Sequence, residues 1–199
     1  MNTTIARTLA AAAALTIGLT LAGCSTNNAG SSDNSSSSSS AASAHNDQDV
    51  TFAQQMLPHH KQAVEMSDML LAKGSDVDAD VVTLAKQIKA EQGPEITSLT
   101  SWLKQWDEPT EASSMSGMDH SSMSGMMSDS DMDALDSASP ADAGKLFLQQ
   151  MVEHHTSAVD MAKTEVDKGK STDAVAMAKS IVSSQTEQIN QMKDMLASM

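Results

Sequence analysis

Phe52-Ala-Gln-Gln-Met56-Leu-Pro-His59-His60-Lys-Gln-Ala63-Val64-Glu65-Met66 recurs further along the chain as Phe147-Leu-Gln-Gln-Met151-Val-Glu-His154-His155-Thr-Ser-Ala158-Val159-Asp160-Met161. Within the first copy, Phe52, Met56, His59, Ala63, Met66 and Leu70 are spaced alternately by four and three residues, which is one continuous face of an α-helix. Each copy then reaches Lys-Gly, at Lys73-Gly74 and Lys168-Gly169, a helix C-terminus signal. A second matched segment follows in each half. Leu84, Ala85 and Ile88 correspond to Met177, Ala178 and Ile181, and Gln92, Ile96, Leu99 and Leu103 correspond to Gln185, Ile189, Met192 and Leu196. Each half therefore reads as a helical hairpin. One hairpin cannot bury its apolar stripe alone, but two can. The expected fold is all-α: a ferritin-like four-helix bundle with pseudo-two-fold symmetry, spanning 47–199 as one domain, with hairpins at 47–106 and 141–199. Pro58 and Gly93-Pro94 are expected to kink or weaken their helices, and Asn46 or Asp47 to cap the first.

The rest of the chain frames that domain. Residues 1–23 have the form of an export signal, with Arg7 ahead of an Ala-rich apolar run from Leu9 to Leu21. The run ends in Leu21-Ala22-Gly23-Cys24, which resembles the bacterial lipobox and makes Cys24, the only cysteine, the expected lipidation site. Residues 24–46 then form a Ser-rich tether, with a coil span of roughly 25 Å. The expected location is the outer face of the cytoplasmic membrane or the periplasm, reached through this lipid anchor. The formal charge of −14 becomes −15 when the segment holding Arg7 is removed, which argues against a nucleic-acid partner. With two Phe, two Trp and no Tyr, but 16 Met, the core must be built from aliphatic and thioether side chains, which suits helices.

Two constellations carry chemistry. Met56, His59, His60 and Met66, repeated as Met151, His154, His155 and Met161, put imidazole and thioether together on the inward stripe. Met192 is expected beside them. Imidazole with thioether suits copper, Cu(I) above all, with Cu(II) possible through imidazole. The competing reading makes the methionines core filler and hydrogen-bonds the histidines to Gln92 and Gln185. The connector at 107–140 reads as a flexible, disordered crossover, rich in Ser, Asp, Gly and Met. It carries Met115, Met118, His120, Met123, Met126, Met127 and Met132, with Met-Ser-Gly-Met twice. Because an exposed loop gains nothing from burying Met, Met115 to Met127 and His120 are expected to form a flexible Cu(I) capture arm. Enzyme patterns are scarce: the sequence has no Glu-x-x-His, no phosphate-binding Gly loop and no Ser nucleophile elbow.

Both copies resemble the domain-of-unknown-function family 305, marked by Met-x-x-His-His-x-x-Ala-(Ile/Val)-x-Met on one helix and Gln-x-x-Glu-Ile-x-x-Met-x-x-Trp-Leu on the next. The second pattern is matched at Gln92, Glu95, Ile96, Trp102 and Leu103, with Leu99 in place of Met. Gln185, Gln188, Ile189, Met192, Met195 and Leu196 follow it without the Glu and Trp. The resemblance implies an exported four-helix protein, and in some members copper binding. The function expected from these readings is a non-enzymatic, envelope-anchored lipoprotein that buffers or sequesters copper. A metal-free structural or interaction bundle and a metal-dependent oxidase are the alternatives, and a protein partner is not specified.

Overall fold

The computed structural model describes residues 44–110 and 125–199. Five α-helices account for most of them: α1 (Asp47–Ala72), α2 (Ala79–Gln105), α3 (Asp129–Ser137), α4 (Pro140–Lys168) and α5 (Thr172–Ser198). Helices α1, α2, α4 and α5 form the expected all-helical bundle. Capping is written into the sequence at every start. Asn46 and Ser128 each form a reciprocal capping box, with Asp49 and Asp131 respectively. Asp78, Ser139 and Ser171 cap α2, α4 and α5, and Pro140 occupies the first turn of α4, where its missing N–H costs nothing. Pro58 and Pro94 lie inside α1 and α2, yet neither interrupts its helix. None of these helices is long and apolar enough to cross a membrane.

Helices α1 and α4 cross at the centre and run antiparallel. Phe52, Met56 and Leu57 share one apolar cluster with Ala158 and Ala162, whereas Ala63, Met66 and Leu70 share another with Ala143, Phe147 and Met151. Helix α2 packs along α1 and helix α5 along α4. Leu99, Leu103, Ala174, Ala178 and Ile181 complete the first cluster, and Leu84, Ile88, Ile189 and Met192 join the second. Each fully buried Leu, Ile, Phe or Met side chain contributes about 1.5–3 kcal/mol through removal from water. Between the clusters lie the buried histidines, so the core is two apolar compartments with a polar layer across the middle.

The Lys-Gly pairs end their helices for different reasons. Gly74 follows α1 at φ +85, a left-handed conformation that favours glycine. Gly169 has an ordinary φ of −67 and is needed for space, because a Cβ there would collide with the Glu165 carboxyl. Glu165 is buried beside Asp49, whose carboxylate accepts from the backbone N–H groups of Asn46, Lys170 and Ser171. This carboxyl pair ties the start of α1 to the α4–α5 turn.

The later part of the connector, from residue 125, departs from the expected disordered crossover; residues 111–124 lie outside the described residues. Residues 129–137 are helical, and Leu135 on α3 is buried. Gln62 of α1 holds Met127 by both backbone groups, donating to its carbonyl and accepting from its N–H, each at 2.8 Å. Gln150 of α4 donates to the Asp131 carbonyl at 2.8 Å, and the Lys73 ammonium reaches the Asp136 carbonyl. The side chain of Met127 is in the core, 4% exposed. The expectation that connector methionines stay out of the core is therefore corrected at Met127. A capped single-turn nucleus and two glutamines on neighbouring helices order a stretch whose composition alone reads as loop.

Candidate metal centre

His59 and His60 on α1 meet His154 and His155 on α4 at the crossing of the two helices, and all four are buried. The rings of His59 and His154 lie against one another, with centroids 3.6 Å apart and planes tilted by 35°. This is where the internal symmetry places them: equivalent residues meet across the pseudo-two-fold axis. His154 and His155 rings are separated by 6.2 Å.

Hydrogen bonds at Nε2 fix the orientation of three of the four rings. His60 Nε2 is 2.7 Å from Glu95 Oε2, and a carboxylate can only accept, so Nε2–H donates. His155 Nε2 lies 2.9 Å from Gln188 Oε1, whose own amide nitrogen donates to Glu91 Oε2 at 2.8 Å. His59 Nε2 is 2.8 Å from Ser157 Oγ, which also lies 3.0 Å from the His154 carbonyl, so a hydroxyl proton directed to that carbonyl leaves Oγ to accept from the ring. In all three rings Nδ1 is buried and without a hydrogen-bond partner. His154 has no partner at either nitrogen. Unpaired buried polar atoms are costly, of the order of 1–3 kcal/mol each, and five imidazole nitrogens in one layer call for an explanation. A second partner that fixes tautomer and ring orientation is what metal-ligating histidines ordinarily have.

The electrostatics keep His59, His154 and His155 neutral. Burial, followed by the neighbouring His60 and His155, holds His59 well below the usual histidine pKa. Burial and the other three rings do the same for His154. For His155, burial outweighs the Gln188 hydrogen bond and lowers the pKa to about 4. Neutral imidazole is the form that binds a metal ion.

The sequence-predicted ligands separate into groups. Met56, Met151 and Met192 are fully buried, and Met56 and Met151 each lie one turn from a His pair. Met66 is also fully buried, within the second cluster. Met161, its counterpart, is only half-buried and lines an outer groove with Gln48, Thr51 and Asp160, so the two copies are not equivalent there. Met126 is half-buried at the surface, and Met115, Met118, His120 and Met123 lie outside the described residues. The expected histidine partners need correction: Gln92 and Gln185 make no hydrogen bond through Oε1, and the partners are Glu95 and Gln188, one helical turn further on. Ser157 and Glu91 were not foreseen; the repeat aligns Glu95 with Gln188, which was the available signal. Among the described residues, no three His, Cys, Asp or Glu side chains are gathered into a ready cluster for an ion. What the layer offers is unpartnered imidazole nitrogens, with buried methionines in the apolar cluster on either side.

Comparison with solved structures finds the same fold. A DUF305 protein of Streptomyces coelicolor is 34% identical, with a TM-score of 0.68 over 76% of this chain and 93% of that one. A DUF305 fragment from Deinococcus radiodurans is 27% identical, with a TM-score of 0.69 over 77% of this chain and 98% of that one. CopM in its Cu(I)-bound form is 29% identical, with a TM-score of 0.62 over 75% of this chain and 96% of that one; it has also been solved with Cu(II) and with silver. Among curated proteins there is no match. The family model for the domain of unknown function DUF305 matches residues 49–196, and with the repeat, the fold and the solved relatives in agreement, the chain belongs to the DUF305 family.

Proposed function

We propose that this chain binds copper in the histidine layer, chiefly as Cu(I), and buffers or sequesters it outside the cytoplasmic membrane without catalysing a reaction. The carrying observation is the layer of four buried imidazoles, three of them held at Nε2 by a hydrogen-bond partner and all four without one at Nδ1. The copper- and silver-bound forms of CopM, a protein of the same fold, support that reading. A monovalent ion fits this setting better than a divalent one. Burying charge in an apolar core is expensive and rises steeply with charge, and thioethers are soft donors. The test is Cu(I) titration under reductant against a competing chelator, comparing wild type with a variant carrying Gln at positions 59, 60, 154 and 155. Loss of the tightest site in the variant is the expected result; unchanged affinity and stoichiometry refute the assignment.

Anchoring through a lipidated Cys24 is part of the same proposal, because an acidic domain on a Ser-rich tether otherwise has no reason to stay at an anionic membrane. Cys24→Ala should move the protein out of the detergent-soluble membrane fraction or leave it as uncleaved precursor. Wild-type protein found free in the medium without lipid overturns the anchor. The metal-free structural reading draws on the His60–Glu95 and His155–Gln188–Glu91 hydrogen bonds, and the same titration separates it from copper binding.

A further inference from the structure

A groove of about 640 Å³ runs between α1 and α3, outside the histidine layer. Met69 on α1, Met126 just ahead of α3 and Met132 on α3 all line it, together with Glu65, Asp129 and Asp133. We propose that this groove is a second soft-cation site, taking Cu(I) or Ag(I) through the three thioethers, with the carboxylates supplying the countercharge.

Three features carry the assignment. All three methionines remain half-buried, whereas Met127, next to one of them, is sealed in the core; the groove methionines present thioether to solvent-accessible space. They come from two segments remote in sequence, α1 and the stretch 126–132, and those segments are held in place. Gln62 grips both backbone groups of Met127, Gln150 holds Asp131, and Lys73 holds the end of α3. The charge also favours a cation: three carboxylates line the groove against the single ammonium of Lys61. Thioether supplies softness without charge, so carboxylates nearby add attraction without displacing sulfur from a monovalent ion.

The groove also adjoins the core site. Gly125 is packed against the side chain of Ser157. Gly125, the residue before Met126, therefore lies against the α4 side chain that contacts His59. A cation held by Met126 would be one residue from that contact.

The proposal takes its cargo from the copper reading, and the test lets the two fail separately. The mature chain, labelled with 13C at the methionine ε-methyl groups, is titrated with Ag(I), a redox-inert stand-in for Cu(I). The methyl signals of Met69, Met126 and Met132 should shift together, and should still do so in the variant with Gln at all four bundle histidines. Met69→Leu with Met132→Leu should lower silver stoichiometry by one while leaving helix content unchanged. If Met56 and Met151 shift but Met69 and Met132 do not, the groove site is wrong and the histidine site stands. If Met126 shifts with the other connector methionines while Met69 and Met132 stay still, the groove is again overturned. If the groove methyls shift while those beside the histidines do not, and the four-histidine variant keeps the full silver stoichiometry, the groove is upheld and the core site fails. If no methionine signal moves, both sites are wrong.

Discussion

Replacing Glu165 with Gln should flatten the alkaline side of the stability profile. Glu165 is fully buried, and burial, reinforced by the adjacent Asp49 carboxylate, raises its pKa to about 8. Asp49 is lowered: burial works against this, but the Glu165 proton and the N–H groups of Asn46, Ser171 and Lys170 outweigh it. The folded protein thus holds on Glu165 a proton that the unfolded chain releases near its ordinary value of 4.5. That stabilisation is complete below pH 4.5 and is lost as pH rises through about 8. One proton of difference changes stability by about 1.36 kcal/mol per pH unit. Between pH 6.5 and 8.5, allowing for the flattening above 8, wild type should lose about 2 kcal/mol relative to Glu165→Gln. Gln keeps the shape and a permanent donor towards Asp49. Groups common to both proteins cancel in the difference, so urea melts of the metal-free proteins at four or five pH values give it directly. For a domain of this size that change corresponds to a shift of roughly 4–8 °C in the Tm difference between the two proteins from pH 6.5 to pH 8.5. Parallel profiles for the two proteins would refute the account of Glu165 as a buried, protonated acid.

On the acid side the histidines set the expectation. Because His59, His154 and His155 are held below the usual value, the unfolded chain takes up protons first as pH falls below 6.5. Metal-free stability should therefore fall from pH 6.5 towards about 4, seen as a declining urea midpoint. By the same shift, protons compete weakly for the folded site, and bound Cu(I) should survive to about pH 5 rather than dissociate around an unperturbed histidine pKa; release complete by pH 6 contradicts the neutral-ring picture. Gly125→Ala should cost about 1–3 kcal/mol, because φ is +78 and the new methyl drives into Ser157. The Met127 methyl signal should move with it, whereas an unchanged signal and melt would show that the connector end is not seated as described.

The fold was largely legible because duplication writes the same pattern twice. Phe52 and Phe147, Met56 and Met151, and Ala63 and Ala158 each predict a buried stripe, and every one of them is buried. The histidine pairs were equally readable, since a polar residue repeated on an apolar face is a layer rather than an accident. Their partners were not. Choosing Glu95 over Gln92 requires the register of α2 against α1, which differs by one helical turn and is set by packing. Helix α3 was missed because its stability comes from Gln62, Gln150 and Lys73, all remote in sequence, and its own composition is that of a loop. Gly169 shows the converse: the right residue type was recognised as a helix end, but its cause is a neighbouring carboxyl and not a left-handed turn.

The antiparallel crossing of α1 and α4 through paired histidines has an evolutionary reading. The faces that meet there are self-complementary, so one hairpin could pair with a second copy of itself through an isologous interface, with each histidine facing its own twin. Such a homodimer is bound to carry identical residues on both sides. Joining the two hairpins in one chain removes that obligation. It allows glutamate at 95 opposite glutamine at 188, a sealed Met66 opposite a half-open Met161, and a Gln62 that grips Met127. Covalent fusion is thus what lets a symmetric scaffold carry two unequal halves.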